Sequence, residues 1–238
     1  LVVQTQVIGT ILYNTYRLAE RLTLNLKEEV ALQTAELNEQ NNKLAYAQKA
    51  LQSANSALKK LSITDGLTQV YNRIYFEQEF RKEWRRCARQ NQPISILMID
   101  ADHFKQINDN AGHMAGDQCL QAISRKLQQH FKRAGELVAR YGGEEFVAML
   151  PNTDQHKTLA VAEGLRSAIE RMEFEYNGKI HRVTISIGAS TTTPSSNTSP
   201  DNLLETADAA LYEAKDRGRN TVILIPMLPT QSKNSNKG

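Results

Sequence analysis

Leucines recur every seven residues at Leu37, Leu44, Leu51 and Leu58, with Val30 one step upstream, inside a run from about 16 to 61 that holds neither proline nor glycine. A sustained seven-residue repeat implies a left-handed coiled coil, because a 3.5-residue period keeps one apolar seam facing a partner helix. With those residues at a positions, the d positions are Leu26, Gln33, Gln40, Ala47, Ala54 and Leu61. Gln33 and Gln40 weaken the seam and the two alanines leave it thin. The expected assembly is a parallel homodimer of moderate stability, a rod of roughly 70 Å over about 45 residues.

The 238 residues are not uniform along the chain. Residues 16–62 form the expected coiled-coil helix, and 63–225 have the mixed composition of a domain able to bury its own core. Residues 226–238 are polar and rich in Pro, Ser and Asn, the composition of a disordered tail. A net charge of +3 and the lack of basic runs interleaved with aromatics give no case for nucleic-acid binding. Cys87 and Cys119 are lone thiols that fit a reducing compartment. The chain opens at Leu1 without Met and reads as a piece of a longer protein, lacking an upstream membrane or sensor segment. Residues 1–15 are apolar but too short to span a bilayer, and Arg17, Arg21 and Lys27 follow them. They are expected to be a membrane-proximal stub, which makes the rest a cytoplasmic domain of an inner-membrane protein.

Beyond a break at Ile63-Thr64-Asp65-Gly66-Leu67-Thr68, helical and strand patterns alternate. Helices are expected at about 73–91, 115–131, 154–172 and from Ser199-Pro200 to near Gly218. Strands are expected at 94–100, 137–140, 146–150, 183–189 and 219–225. Gly142-Gly143 between two strands reads as a tight hairpin turn of positive φ. The fold class is α/β: flanking helices on a mostly antiparallel sheet, preceded by the long helix. His103, His130, His156 and His181 have no ligand spacing and are expected to be solvated.

Two stretches carry chemistry: DADHFKQINDNAGHMAGD at 100–117, and RYGGEEF at 140–146. Asp100 ends a continuous apolar strand, where a carboxylate can face a cleft. Glu144 follows the glycine turn, and glycine lets backbone approach a ligand closely. A hard divalent cation takes one or two such carboxylates plus substrate phosphates. Asp102 is expected to face away from Asp100 and stays outside that ligand set.

These residues resemble the GGDEF family in its GGEEF spelling, with Asp65-Gly66-Leu67-Thr68 and Asn72-Arg73 matching the domain's opening and the likeness extending over about 65–225. The resemblance implies a fold related to nucleotide cyclases and polymerase palms, and a diguanylate cyclase that condenses two GTP into cyclic di-GMP and two pyrophosphates. It further implies that Mg²⁺, with Mn²⁺ as an alternative, is held by Asp100, the backbone carbonyl of Ala101 and Glu144. Glu144 is the implied base for the 3′-hydroxyl, with Glu145 close enough to assist. Asn108 and Asp117 match the guanine readers, and Asp can accept from guanine N1–H and N2–H. Backbone amides around Phe104 and Lys105, with the Lys105 side chain, would hold phosphates. Lys215 and Arg219 match a clamp on the β- and γ-phosphates, His113 shapes the site, and Gly142 and Gly143 line it. Many members carry an inhibitory product site, Arg-x-x-Asp, before the glycines. Here Arg133 and Glu136 occupy those positions, and the longer Glu arm puts such inhibition in doubt. No GxxxxGK[ST] motif is present, which disfavours a P-loop GTPase. The other readings are a domain that binds nucleotide without turnover, a synthase of another cyclic nucleotide on the same fold, and a coiled-coil scaffold.

Overall fold

The computed structural model describes residues 2–227, with side chains from 12 to 52 and from 63 onward. The chain divides into two compact units, Leu1–Lys59 and Lys60–Gly238. The first is one helix: α1 runs Val2–Ile63, so it begins well before the expected start near 16 and takes in the 1–15 stretch. At 1.5 Å per residue its 62 residues make a rod of roughly 90 Å. Val30, Leu37, Leu44 and Leu51 are each more than half exposed, forming an apolar stripe along it. The seam positions Ala54, Leu58 and Leu61 lie outside the described side chains. No helix among the described residues is long and apolar enough to cross a membrane.

In the second unit the elements follow in the order β1 (Tyr71–Asn72), α2 (Arg73–Gln90), β2 (Ile94–Ala101), α3 (Phe104–Ala111), α4 (His113–His130), β3 (Leu137–Arg140) and β4 (Glu145–Pro151), then α5 (Gln155–Glu170), β5 (Glu173–Tyr176), β6 (Lys179–Arg182), β7 (Ile185–Thr192), α6 (Pro200–Asp216) and β8 (Val222–Pro226). Local chemistry starts three helices. The side chains of Asn72, Asp154 and Ser199 each accept a first-turn amide, and Pro200 supplies the preset φ of a first helical position. The six-stranded sheet has the order β1-β3-β4-β2-β7-β8. Its three central pairings are antiparallel and its two outer ones parallel.

Because side chains alternate along a strand, β2 divides the core in two. Leu97 and Ile99 pack among Leu120, Ile123 and Leu127 of α4 and Leu165 and Ile169 of α5. Ile94, Ile96 and Met98 pack among Phe76, Phe80 and Trp84 of α2 and Leu203, Ala207 and Leu211 of α6. Asp100 continues the second series, so the same alternation that builds the core carries its carboxylate to the α6 side of the strand end.

Several expectations need correction. Neither Gly142 nor Gly143 takes positive φ: β3 ends at Arg140 and β4 starts at Glu145, too long a connection for a two-residue turn. The tight turn lies instead at Asn177-Gly178, φ 50° and 70°, closing the unforeseen hairpin β5–β6 as an Asn-Gly pair does. α3 was also unforeseen. The last strand begins at Val222, not 219, because Arg219 and Asn220 are left-handed (φ 67° and 46°) and cannot be extended. Pro226 ends β8 and Met227 is buried, so the tail expected from 226 is ordered there, and 228–238 lies outside the described residues. Two of the four histidines are half-buried: His130 Nε2 lies 3.0 Å from the Val161 carbonyl, and His181 stacks on Phe174.

Candidate active site

β2 brings Asp100 into register with Glu145 of β4 and Ser186 of β7. The Ala101 amide donates across to the Glu144 carbonyl at 3.4 Å, which places Glu144 beside the strand end. Asp100 is only 6% exposed, and Lys215 Nζ from the last turn of α6 lies 2.8 Å from its Oδ2. Burial pushes the Asp100 carboxyl up and outweighs the pull of Lys215, while the charge of Asp102 adds to the rise and that of Arg219 opposes it. Glu144 is raised too, first by burial and then by the charge of Asp100, with Lys215 opposing. Two carboxylates held in a half-dry corner, each disfavoured as an anion, with one ammonium paired to Asp100, are a donor set that a doubly charged cation would relieve. Among the described residues no group of three or more His, Cys, Asp or Glu side chains converges. The set is two carboxylates, oxygen donors whose hardness fits a hard divalent cation.

Glu145 points elsewhere. Its Oε2 lies 2.8 Å from where a Cβ on Gly142 would stand, so the end of this flexible side chain rests over the glycine, whereas Gly143 faces open space. Arg73 and Tyr141 both feel the charge of Glu145, and the Arg73 guanidinium sits 4.3 Å over the Tyr141 ring. The two adjacent glutamates thus have different neighbours: Asp100 and Lys215 for Glu144, Arg73 and Tyr141 for Glu145.

The hairpin is held from outside by an ion pair. Arg140 reaches Asp65 at 3.2 Å and donates twice to the Gly143 carbonyl, at 3.0 and 2.7 Å. Asp65 also accepts from the amide and hydroxyl of Thr68, at 2.9 and 2.6 Å. Burial alone would raise Asp65, but the Thr68 hydrogen bonds and Arg140 win and its pKa is lowered. A lowered folded-state pKa means stability that is fully present above the unfolded value near pH 4 and is lost as pH falls through the lower folded value. Asp65→Asn is therefore expected to lower the melting temperature by a constant amount at neutral pH, with the gap to wild type closing below about pH 4. Melting curves taken from pH 3 to 7 decide this, and a gap that persists unchanged at pH 3 would contradict it.

Phe104 and Asn108 share one face of α3 and meet α4 at Gly116. A Cβ on Gly116 would stand 2.0 Å from Asn108 Oδ1 and 3.1 Å from Phe104 Cζ, so the missing side chain makes the room that Asn108 occupies. Asp117, half-buried, is the next residue of α4. Lys105 and His113 are exposed, on the first turn of α3 and at the start of α4. Arg219 follows α6 by one turn from Lys215, and its charge reaches Asp100. The structure thus groups Asp100, Glu144, Lys215 and Arg219 by contact or charge, and Phe104, Asn108 and Gly116 by contact. Glu136 folds back instead of reaching out: its Oε2 accepts the Arg133 amide at 2.9 Å.

The sequence model of the family described as "Diguanylate cyclase, GGDEF domain" matches residues 62–221. The chain belongs to the GGDEF family. It is similar to diguanylate cyclase A of Treponema denticola, 41% identical over 173 residues, or 71% of this chain and 46% of that protein. The response regulator PleD of Caulobacter vibrioides is 39% identical over 166 residues, covering 69% of this chain and 36% of PleD. The chain spans less than half the length of these curated relatives. Among solved structures, the coiled coil and GGDEF domain of DgcB from Caulobacter crescentus, in complex with c-di-GMP, aligns with a TM-score of 0.73 at 26% identity, over 79% of this chain and 99% of that one. Diguanylate cyclase SiaD from Pseudomonas aeruginosa, in complex with its activator SiaC, gives 0.71 at 30% identity, over 94% and 85%. Cyclases of the GGDEF family are generally metal-dependent.

Proposed function

We propose that the chain is a diguanylate cyclase that condenses two GTP into cyclic di-GMP with release of two pyrophosphates. The observation that carries this reading is the meeting of Asp100, Glu144 and Lys215 at one strand end inside a matched GGDEF domain. Asp100, the Ala101 carbonyl and Glu144 would hold Mg²⁺, or Mn²⁺ in its place. When bound, the metal supplies positive charge that neutralises the triphosphate and polarises the attacking hydroxyl. The Phe104 and Lys105 amides and the Lys105 side chain bind phosphate, Lys215 and Arg219 clamp the β- and γ-phosphates, and Asn108 and Asp117 read guanine beside Phe104. His113 and the Gly142-Gly143 backbone shape the walls. In each half-reaction a 3′-oxygen attacks the α-phosphorus of the other GTP. Glu144 accepts its proton, helped by the nearby charge of Glu145, and the bond to the β-phosphate oxygen breaks to release pyrophosphate.

Each domain supplies one GTP, so turnover needs two domains face to face. The exposed leucine stripe of α1 supports a homodimeric coiled coil that raises the effective concentration of the second domain. A missing sensor segment upstream would act through that rod, and use of GTP favours a cytoplasmic location. The folded-back Glu136 argues against product inhibition through Arg133 and Glu136.

The test is incubation of concentrated protein with GTP and Mg²⁺, with products resolved by mass and a chelator as control. Cyclic di-GMP and pyrophosphate in a 1:2 ratio are expected. Magnesium-dependent GTP binding without product in an enforced dimer would replace this reading with a nucleotide-binding domain.

A further inference from the structure

Asp102 is 4% exposed, and all its partners are neutral: its Oδ1 accepts from Ser186 Oγ at 2.6 Å, and its Oδ2 from Thr184 Oγ1 at 2.7 Å and the Asn220 amide at 3.0 Å. Its own amide donates to the Thr184 carbonyl at 2.9 Å. A buried carboxylate without a cation is retained at a cost unless its donors are held in place for it. What those donors share is position. His103, the next residue, is left-handed at φ 57° and caps the start of α3, where the Phe104 and Lys105 amides begin. On the other side, Gly218, Arg219 and Asn220 are three consecutive residues of positive φ, at 107°, 67° and 46°. Non-glycine residues persist in that region only where surrounding contacts over-determine them. For this loop the contacts are Asp102 on the Asn220 amide, Arg166 donating to Asn220 Oδ1 at 2.8 Å, and Asn220 Nδ2 donating to Glu170 at 2.6 Å.

We propose that Asp102 is a positioning residue for the triphosphate: one buried carboxylate ties the turn that opens α3 to the left-handed loop that carries Arg219, and so sets the distance between the two halves of the phosphate-binding surface. The inference rests on the proposed use of GTP. It places Asp102 outside the metal ligands and gives it a task in substrate binding. It also accounts for the extended strand expected at 219–225 being replaced by a pinned turn, since an extended Arg219 could not keep the Asn220 amide on Asp102. Asp102→Asn preserves the tie, because an amide oxygen on the Oδ2 side still accepts from Asn220 and Thr184 while its NH₂ donates to the Ser186 hydroxyl. Asp102→Ala removes it.

The experiment compares GTP with GMP, which lacks the β- and γ-phosphates, by titration calorimetry on wild type, Asp102→Ala, Asp102→Asn and Arg219→Ala, with amide exchange at Asn220 followed by NMR. Asp102→Ala is expected to lose about tenfold in GTP affinity, the worth of one charge-assisted hydrogen bond, with GMP affinity changed by less than about twofold. Asp102→Asn should restore most of the loss, and Asp102→Ala should add little once Arg219 is already Ala. Equal losses for GTP and GMP, or full additivity with Arg219→Ala, would reduce Asp102 to a structural role and overturn the proposal. If Asp102→Ala does not fold, Asp102→Ser carries the test, since its shorter polar side chain cannot span to the Asn220 amide: it must give the same GTP-selective loss, and wild-type affinity would overturn the proposal. Wild-type protein that binds no GTP would defeat the proposed function alone. The tie itself would still be judged by the Asn220 amide, slow to exchange in wild type and fast in Asp102→Ala, and equal rates would end it.

Discussion

Glu144→Gln and Asp100→Asn are each expected to remove about a thousandfold or more of the cyclase rate while leaving the domain folded. The size follows from what the carboxylates are asked to do. A metal at a phosphoryl centre is worth several kcal/mol of charge stabilisation, and about 4 kcal/mol corresponds to a thousandfold. Folding should survive for a reason visible in the electrostatics of the site. Burial disfavours both anions and the charge of Asp100 further disfavours Glu144, so neutralising either relieves repulsion that the fold otherwise bears. Asp100→Asn does give up the Lys215 pair, but Lys215 keeps nearly a third of its side chain in solvent and can be hydrated there. The check pairs initial rates by product mass with thermal melting: activity gone and melting temperature within a few degrees. Glu145→Gln is the informative neighbour. With its carboxylate beside Gly142, Arg73 and Tyr141, it should lower the rate less than Glu144→Gln does, and an equal or larger loss would assign proton removal to Glu145.

The continuous apolar run at 94–99 made a buried strand with Asp100 at its end legible in the sequence, whereas the alternation that sorts its residues between two core faces shows only in the packing. The helix starts were legible for a local reason, in Asn72, Asp154 and Ser199-Pro200. The glycine pair was legible as a feature but not in its physics. Gly142 lies under the end of the Glu145 side chain and does not take the positive φ of a tight turn, and nothing in a string of residue types distinguishes those uses. Asn177-Gly178 carries a standard hairpin signal, but its flanking strands, Glu173–Tyr176 and Lys179–Arg182, are mostly polar and form no apolar run that would mark them as strands. Asp102 and Asn220 lie 118 positions apart and their bond is tertiary.

Gly188→Ala, a change of one methyl group, is expected to cost about 3 kcal/mol, at the upper end of ordinary overpacking. For a domain of this size that is a fall of roughly 6–12 °C in melting temperature. Gly188 sits in β7 opposite Met98 and faces α6, where an added Cβ would stand 2.0 Å from the Leu211 amide nitrogen, 2.2 Å from the Ala207 carbonyl oxygen and 2.6 Å from the Leu211 Cα. All three are backbone atoms, so no rotamer change can make room and the helix itself must retreat. Lys215 is one turn beyond Leu211 on the same helix, and a retreat of about an ångström would draw its ammonium away from Asp100 while displacing Arg219 with it, enough to cost orders of magnitude in an oriented reaction. Stability and activity should therefore fall together. Trimming side chains with Ala207→Gly or Leu211→Ala should restore neither, because the clash is with main chain. Gly164→Ala in α5 is the matched control: the nearest atom is His130 Cε1 at 3.4 Å, and helix propensity favours the change by up to about 1 kcal/mol. A Gly188→Ala protein that melts within about 2 °C of wild type would mean that α6 is not seated on β7 as closely as these distances require, and the placement of Lys215 on Asp100 would fall with it.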